Sequence, residues 1–298
     1  MIRLFCVTGG YSNKYINKFT SKKNNLNLED NDIKVDEINK IVNKIQKDGY
    51  FIYENFLQQD ECEKILNFCL KSEFEIRPND KENWNNELEK SYFNEKNIKA
   101  VMYEIPKDQV FIEKIVSNLI FSPEILLICE KYLSCMPIFD HTSLSISTSF
   151  SNQPDKKAAQ LFHFDLDRPK WLKFLIYIND VDYNNGPHVF VEGSHKDNGI
   201  KPVLLSNGYD RIPDELVFKY YNNKVKNFTK KRGTLIIEDT RGLHKGTMLN
   251  SGYRCLLNIQ FNSSNYGTEL STQEIQKKNI NNKIYQNNLY TYQNLKIK

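Results

Sequence analysis

Tyr253–Arg254–Cys255–Leu256–Leu257–Asn258–Ile259–Gln260–Phe261 alternates with a period of two. Tyr253, Cys255, Leu257, Ile259 and Phe261 form one apolar face, and Arg254, Asn258 and Gln260 stand on the other. Successive strand side chains point to opposite faces, so this segment is a strand with one face on a hydrophobic core and a polar opposite face. A barrel with a polar interior would put Arg254 inside, where its planar fork can bind a carboxylate through two hydrogen bonds.

Upstream the texture is the same. Ile138–Phe139, Leu144–Ile146, Leu161–Asp165, Trp171–Ile178, Val189–Val191 and Leu235–Ile237 read as short strands, separated by turn-forming runs such as Asn185–Gly186–Pro187 and Gly193–Ser194. Helices precede them. Ile38, Ile41, Val42 and Ile45 recur at helical spacing before Gly49, and Cys62, Ile65, Leu66 and Cys69 share a second helical face. Tyr50–Tyr53 and Ala100–Ile105 read as strands, and residues 80–97 as a polar surface loop. Ser122–Pro123–Glu124 supplies a capping hydroxyl, a first-turn proline and an acid at the positive end of a helix. Residues 197–228 read as a helical insert. Helices followed by many short strands predict a mainly β fold with flanking helices, a jelly roll or sandwich. The domain is expected over residues 35–265, with a polar extension at 1–34 and a polar tail at 266–298.

The 298 residues carry a net charge of +4, with 41 basic residues spread along the chain. No basic block marks a nucleic-acid surface, and no run approaches the ~20 apolar residues of a membrane span. The six cysteines form no CxxC pair; they read as reduced core thiols, which predicts an intracellular, cytoplasmic protein. A monomer or dimer is expected.

Five histidines are present. His163–Phe164–Asp165 puts an imidazole and a carboxylate two residues apart, on one face of a strand. Far downstream, His244 follows the apolar run Leu235–Ile237. Two histidines and one carboxylate make the facial triad of non-haem Fe(II) oxygenases, which leaves coordination positions open for a 2-oxo acid and O2. Arg254, ten residues beyond His244, is the candidate anchor for the far carboxylate of that acid.

Four stretches resemble the phytanoyl-CoA dioxygenase-like family of Fe(II)/2-oxoglutarate oxygenases. They are Gly49–Tyr50–Phe51–Ile52 with the helix after it; Gln160–Leu161–Phe162–His163–Phe164–Asp165; Ile178–Asn179–Asp180–Val181 through Asn185–Gly186–Pro187 to Glu192–Gly193–Ser194–His195–Lys196; and Gly233 to Arg254. The resemblance spans roughly residues 35–262. It implies a double-stranded β-helix, cupin-like core, with iron on His163, Asp165 and His244 and the 2-oxoglutarate cosubstrate on Arg254. Gln160 and Thr247 are further cosubstrate candidates. Glu192 replaces the family's usual proline. Gly246 stands where many relatives carry a hydroxyl, and Thr247 follows it. Asp165 fills the position that is small in halogenating relatives, so halogenation is not expected.

The resemblance also implies the reaction: cleavage of 2-oxoglutarate to succinate and CO2, coupled to hydroxylation, desaturation or ring closure of a small-molecule substrate, as in secondary metabolism. Arg241, Arg168, Trp171 and His188 are the candidate substrate contacts. Arg241 and the basic Arg168, Lys170 and Lys173 point to a carboxylate-bearing substrate, although a solvated basic loop fits the last three as well. His195 reads as a structural turn histidine. Three rivals are weighed. A nucleic-acid demethylase of the superfamily would carry a second arginine where this chain has Gln260. A protein or peptide hydroxylase, and a non-enzymatic jelly-roll binding module, are the others.

Overall fold

The computed structural model describes residues 2–23, 26–28, 34–76, 88–206, 208 and 210–298. The helices are α1 (Ile2–Thr8), α2 (Tyr11–Thr20), α3 (Val35–Asp48), α4 (Gln59–Lys71), α5 (Lys114–Ile120), α6 (Pro123–Leu133), α7 (Pro202–Leu205), α8 (Asp214–Tyr221) and α9 (Asn282–Asn287). The strands are β1 (Tyr50–Tyr53), β2 (Glu73–Ile76), β3 (Glu89–Tyr92), β4 (Met102–Glu104), β5 (Ile138–Thr148), β6 (Trp171–Tyr177), β7 (His188–Val191), β8 (Val225–Phe228), β9 (Leu235–Glu238), β10 (His244–Gly246), β11 (Tyr253–Asn262), β12 (Gln273–Ile275) and β13 (Leu295–Ile297).

Eight strands form one sheet in the order β1-β9-β6-β11-β5-β4-β2-β3, and β10-β7-β8 form a second. This is a double-stranded β-helix core with flanking helices. The second sheet is extended by isolated antiparallel bridges, His163 to His244 and Phe162 to Ile212. The His163–Asp165 segment is therefore held by bridges rather than in a regular strand.

The alternation in β11 sorts as its sequence predicts. Cys255, Leu257, Ile259 and Phe261 are buried in the core under α3, α4, α5 and α6, beside Ile41, Ile45, Cys62 and Leu126. Burying this many aliphatic and aromatic side chains is the main stabilising term, roughly 1.5–3 kcal/mol for each. The opposite face of the large sheet looks at the small one. Along it the register sets Arg254 against Ser147, Asn258 against Ser143, and Gln260 against both His141 and Lys173. The polar residues of three strands thus meet between the sheets.

Local chemistry explains the element ends. Ser122 Oγ accepts from Ile125 N–H and Pro123 opens α6. Gly49 ends α3 with φ 95°, and a Cβ there would lie 2.6 Å from a Phe190 ring carbon. That combination of positive φ and close approach admits only glycine without strain.

Three segments differ from expectation. The extension over 1–34 carries α1 and α2. Phe5 is buried in the cluster of Phe162, Phe164, Val189 and Leu243, and its ring stacks on Phe164 at 5.5 Å. The polar composition hid an amphipathic helix whose apolar contacts are few but large. The tail beyond 266 carries β12, α9 and β13, and Ile275, Ile280, Tyr292 and Leu295 belong to the main core. Within residues 80–97, β3 pairs with β2; residues 80–87 of that expected loop lie outside the described residues. The expected helical insert does hold α7 and α8, and it ends in β8, which pairs with β7.

Candidate metal and cosubstrate site

His163, Asp165 and His244 come together in the structure. One ligand atom from each lies within 4.8 Å of the others. His163 Nε2 is 3.8 Å from Asp165 Oδ1, and His244 Nε2 is 3.5 Å from Asp165 Oδ2. The backbone builds this: His163 N–H donates to His244 O at 3.0 Å, His244 N–H returns a bond to His163 O at 2.9 Å, and Asp165 N–H donates to Thr240 O at 2.8 Å.

The tautomers are set by the backbone as well. His163 Nδ1 lies 2.9 Å from Leu161 O, and His244 Nδ1 lies 2.9 Å from Gly242 O. A carbonyl only accepts, so each Nδ1 carries the proton and each Nε2 keeps a lone pair for an ion. Burial, with His244 beside it, holds His163 well below the ordinary histidine range, and burial likewise lowers His244. Burial opposes the charge on Asp165, yet Lys173 first, then His244 and His163, hold its carboxyl far below the usual carboxylate range. Two neutral imidazoles and an ionised carboxylate are the protonation states that a divalent cation requires. The donor set fits iron.

Arg254 is buried on the interior face of β11. Its Nη1 donates to Gly186 O, its Nη2 lies 3.4 Å from Ser147 Oγ, and its Nε has no partner. No carboxylate among the described residues pairs with it. Burial accordingly lowers its basicity, which Tyr177 only partly restores. A Cβ on Gly246 would lie 2.8 Å from Arg254 Nη2, so glycine here leaves the guanidinium open on that side. The Thr247 hydroxyl is buried without a partner. Gln160 Oε1 accepts from Asp155 N–H at 2.8 Å and ties off the loop before the metal ligands.

The expected substrate contacts divide. His188 lines the site: its ring lies 5.8 Å from His244, and its Nε2 is 2.9 Å from Glu238. Trp171 is fully buried, with its ring 5.5 Å from Lys173 Nζ. Arg241 and Arg168 are both engaged in internal ion pairs. Arg241 Nε and Nη2 reach Asp239 at 2.9 and 2.6 Å, and Tyr132 Oη donates to the same carboxylate at 2.5 Å. Arg168 is 1% exposed and pairs with Asp140 at 3.4 Å. Lys170 donates to Tyr132 O and covers the Tyr132 ring. Arg168 and Lys170, near His163 in sequence, are thus each engaged by groups of the protein itself. Lys173 is the residue that sequence reasoning undervalued: it reaches Asp165 Oδ2 at 2.8 Å. Its place in the Trp171–Ile178 strand, two residues from Trp171, was the available signal.

The family model for phytanoyl-CoA dioxygenase matches residues 45–254, more than half of the chain. The chain belongs to this family. It is an iron- and 2-oxoglutarate-dependent oxygenase. No curated protein matches the chain in sequence. Solved structures share the fold at low identity. The epimerase SnoN, in complex with Fe3+, α-ketoglutarate and nogalamycin RO, is 14% identical, with a TM-score of 0.50 over 77% of this chain and 84% of SnoN. HygX from Streptomyces hygroscopicus, with nickel and 2-oxoglutarate bound, is 13% identical, with a TM-score of 0.52 over 79% of this chain and 90% of HygX. HygX is also known with hygromycin B bound. Among the described residues, no helix is long and apolar enough to cross a membrane.

Proposed function

We propose that this family member oxidises an unactivated C–H bond of a small metabolite, by hydroxylation or by desaturation or ring closure, while 2-oxoglutarate is cleaved to succinate and CO2. The observation that carries the reading is Arg254, a buried guanidinium with no carboxylate partner, on the face shared with Asn258 and Gln260. A buried cation without a counter-charge is costly, and a dicarboxylic cosubstrate supplies the missing anion.

In this reading His163 Nε2, His244 Nε2 and the Asp165 carboxylate hold the iron. Bound iron supplies the activation of O2 and the redox chemistry. Arg254 takes the far carboxylate of 2-oxoglutarate, and the Thr247 hydroxyl donates beside it. Leu175, Tyr177, Phe190 and Ile236 pack between the sheets and exclude water from that end. Lys173 keeps Asp165 ionised, and His188 lines the ground next to His244. SnoN and HygX, which share the fold, are known with small natural products bound, and this supports a small-molecule substrate.

The test is calorimetry of 2-oxoglutarate with Mn(II)-loaded protein, followed by screening candidate metabolites for succinate release. A product heavier by one oxygen or lighter by two hydrogens confirms the class. A chain that binds no 2-oxoglutarate in the presence of Mn(II) refutes it.

A further inference from the structure

The insert between β7 and β8 pairs with the metal-ligand segment at Ile212. Ile212 N–H donates to Phe162 O at 2.8 Å, and these two residues form an antiparallel bridge. In antiparallel pairing the next step along one chain meets the preceding step of the other. Arg211 is therefore set across from His163. Cross-strand partners project from the same face, with Cβ atoms about 5 Å apart, so the Arg211 side chain stands on the face that carries the His163 imidazole.

The guanidinium is uncommitted. Among the described residues, Arg211 Nη1 is buried and has no hydrogen-bond partner. Among the described residues the side chain makes no ion pair; only the backbone N–H of Arg211 is engaged, with Asp210 Oδ1 at 2.7 Å. The neighbouring cations are all spent: Lys245 on Asp214, Lys173 on Asp165, Arg241 on Asp239 and Arg168 on Asp140. Arg254 stands at the cosubstrate end. A buried charged donor left unpaired costs more than a neutral one, and a ligand oxyanion removes that cost.

We propose that Arg211 is a substrate-binding residue that takes a single carboxylate of the substrate beside the metal, a proposal that rests on the oxygenase reading above. One guanidinium balances one negative charge and fits a carboxylate through two parallel N–H bonds. A dianion would leave one charge unbalanced. The sequence alone could not single out Arg211, because the pairing that brings it to His163 spans the whole insert.

The test uses the Mn(II)-loaded protein saturated with 2-oxoglutarate. Small carboxylic acids are each paired with their methyl esters, and Mn(II)-induced relaxation of the ligand protons reports binding near the metal. Acids should be favoured over their esters by roughly tenfold or more in affinity. Arg211→Gln should abolish the preference. Arg211→Lys should keep part of it, because the charge stays while the planar fork is lost. The lysine variant carries the test if the glutamine variant does not fold. Acids that relax no faster than their esters in the unmodified protein, or a preference that survives in Arg211→Gln, overturn the proposal. Failure of the unmodified protein to bind 2-oxoglutarate with Mn(II) overturns the oxygenase reading instead.

Discussion

Lys173 Nζ donates to Oδ2 of Asp165 at 2.8 Å, from a strand position paired with Glu238 on one side and Gln260 on the other. The ammonium fixes the carboxylate of the candidate metal triad. Groups that orient metal ligands typically contribute 10–100-fold to affinity. Lys173→Met should therefore weaken Mn(II) binding by about that factor, with a steeper fall toward low pH, because a buried Asp165 without its cation holds a proton more tightly. Titrating Mn(II) at two pH values checks this. Tighter binding in the variant would mean that the lysine charge repels the ion more than it orients the ligand.

Arg254 gives the sharpest cosubstrate prediction. Arg254→Ala should raise the 2-oxoglutarate dissociation constant by roughly 30-fold or more, equivalent to about 2 kcal/mol, the lower end for losing one partner of a buried charged pair. Arg254→Lys should fall between, since it keeps a charge but not two parallel donors. Mn(II) affinity measured without cosubstrate should change little. An unchanged 2-oxoglutarate affinity in Arg254→Ala would remove Arg254 from this role.

The clustering of His163, Asp165 and His244 and the burial of Arg254 were legible because each rests on local spacing: two residues within His163–Phe164–Asp165, ten from His244 to Arg254, and a clean period of two through β11. The long helices were legible from their apolar period and caps. What failed was anything set by pairing at a distance. Arg168 looks available in sequence, and its partner Asp140 is brought in only by the fold; Arg241 pairs with Asp239, two residues away, but the burial that commits it there and the Tyr132 hydroxyl on the same carboxylate come only with the fold. The tail places Tyr292 in the core with its hydroxyl on Ile120 O at 2.8 Å; single aromatic residues among Asn and Gln leave no periodic trace of such packing.

Arg241 supplies a test that separates structure from recognition. Its partner Asp239 is fully buried. Arg241→Ala leaves that carboxylate with no cation, only Tyr132 and the backbone N–H of residue 241, which should cost about 3–5 kcal/mol of stability. Denaturant unfolding measures this. A variant of normal stability with a raised KM for substrate would restore Arg241 as a substrate contact.

His195 sets a pH dependence away from the metal. Burial pushes its pKa down to about 4 from the ordinary 6.5. Its Nε2 lies 3.2 Å from Gln46 O, and its Nδ1 has no partner. Below pH 6.5 the unfolded chain binds a proton here that the folded chain refuses until near pH 4. Stability is thus undiminished above pH 6.5 and is lost as pH falls through that window, by about 2 kcal/mol between pH 7 and pH 5. His195→Gln should flatten this share of the profile in urea unfolding of the metal-free protein. Equal losses in both proteins would place the pH dependence elsewhere.

Phe5 ties the N-terminal helix to the segment that carries the candidate metal ligands His163 and Asp165. Its ring stacks on Phe164, which lies between His163 and Asp165 in sequence. The same helix pair is pinned by Asn198 N–H to Gly9 O at 2.7 Å and by Asn13 Nδ2 to Pro169 O at 3.2 Å. Phe5→Ala empties a buried site and should cost about 3–5 kcal/mol. Because the lost contact abuts the metal-ligand segment, Mn(II) affinity should fall with stability, whereas Phe5→Leu should recover most of both. A Phe5→Ala protein with unchanged melting temperature and unchanged Mn(II) affinity would show that the N-terminal helix rests on the domain without bracing the site.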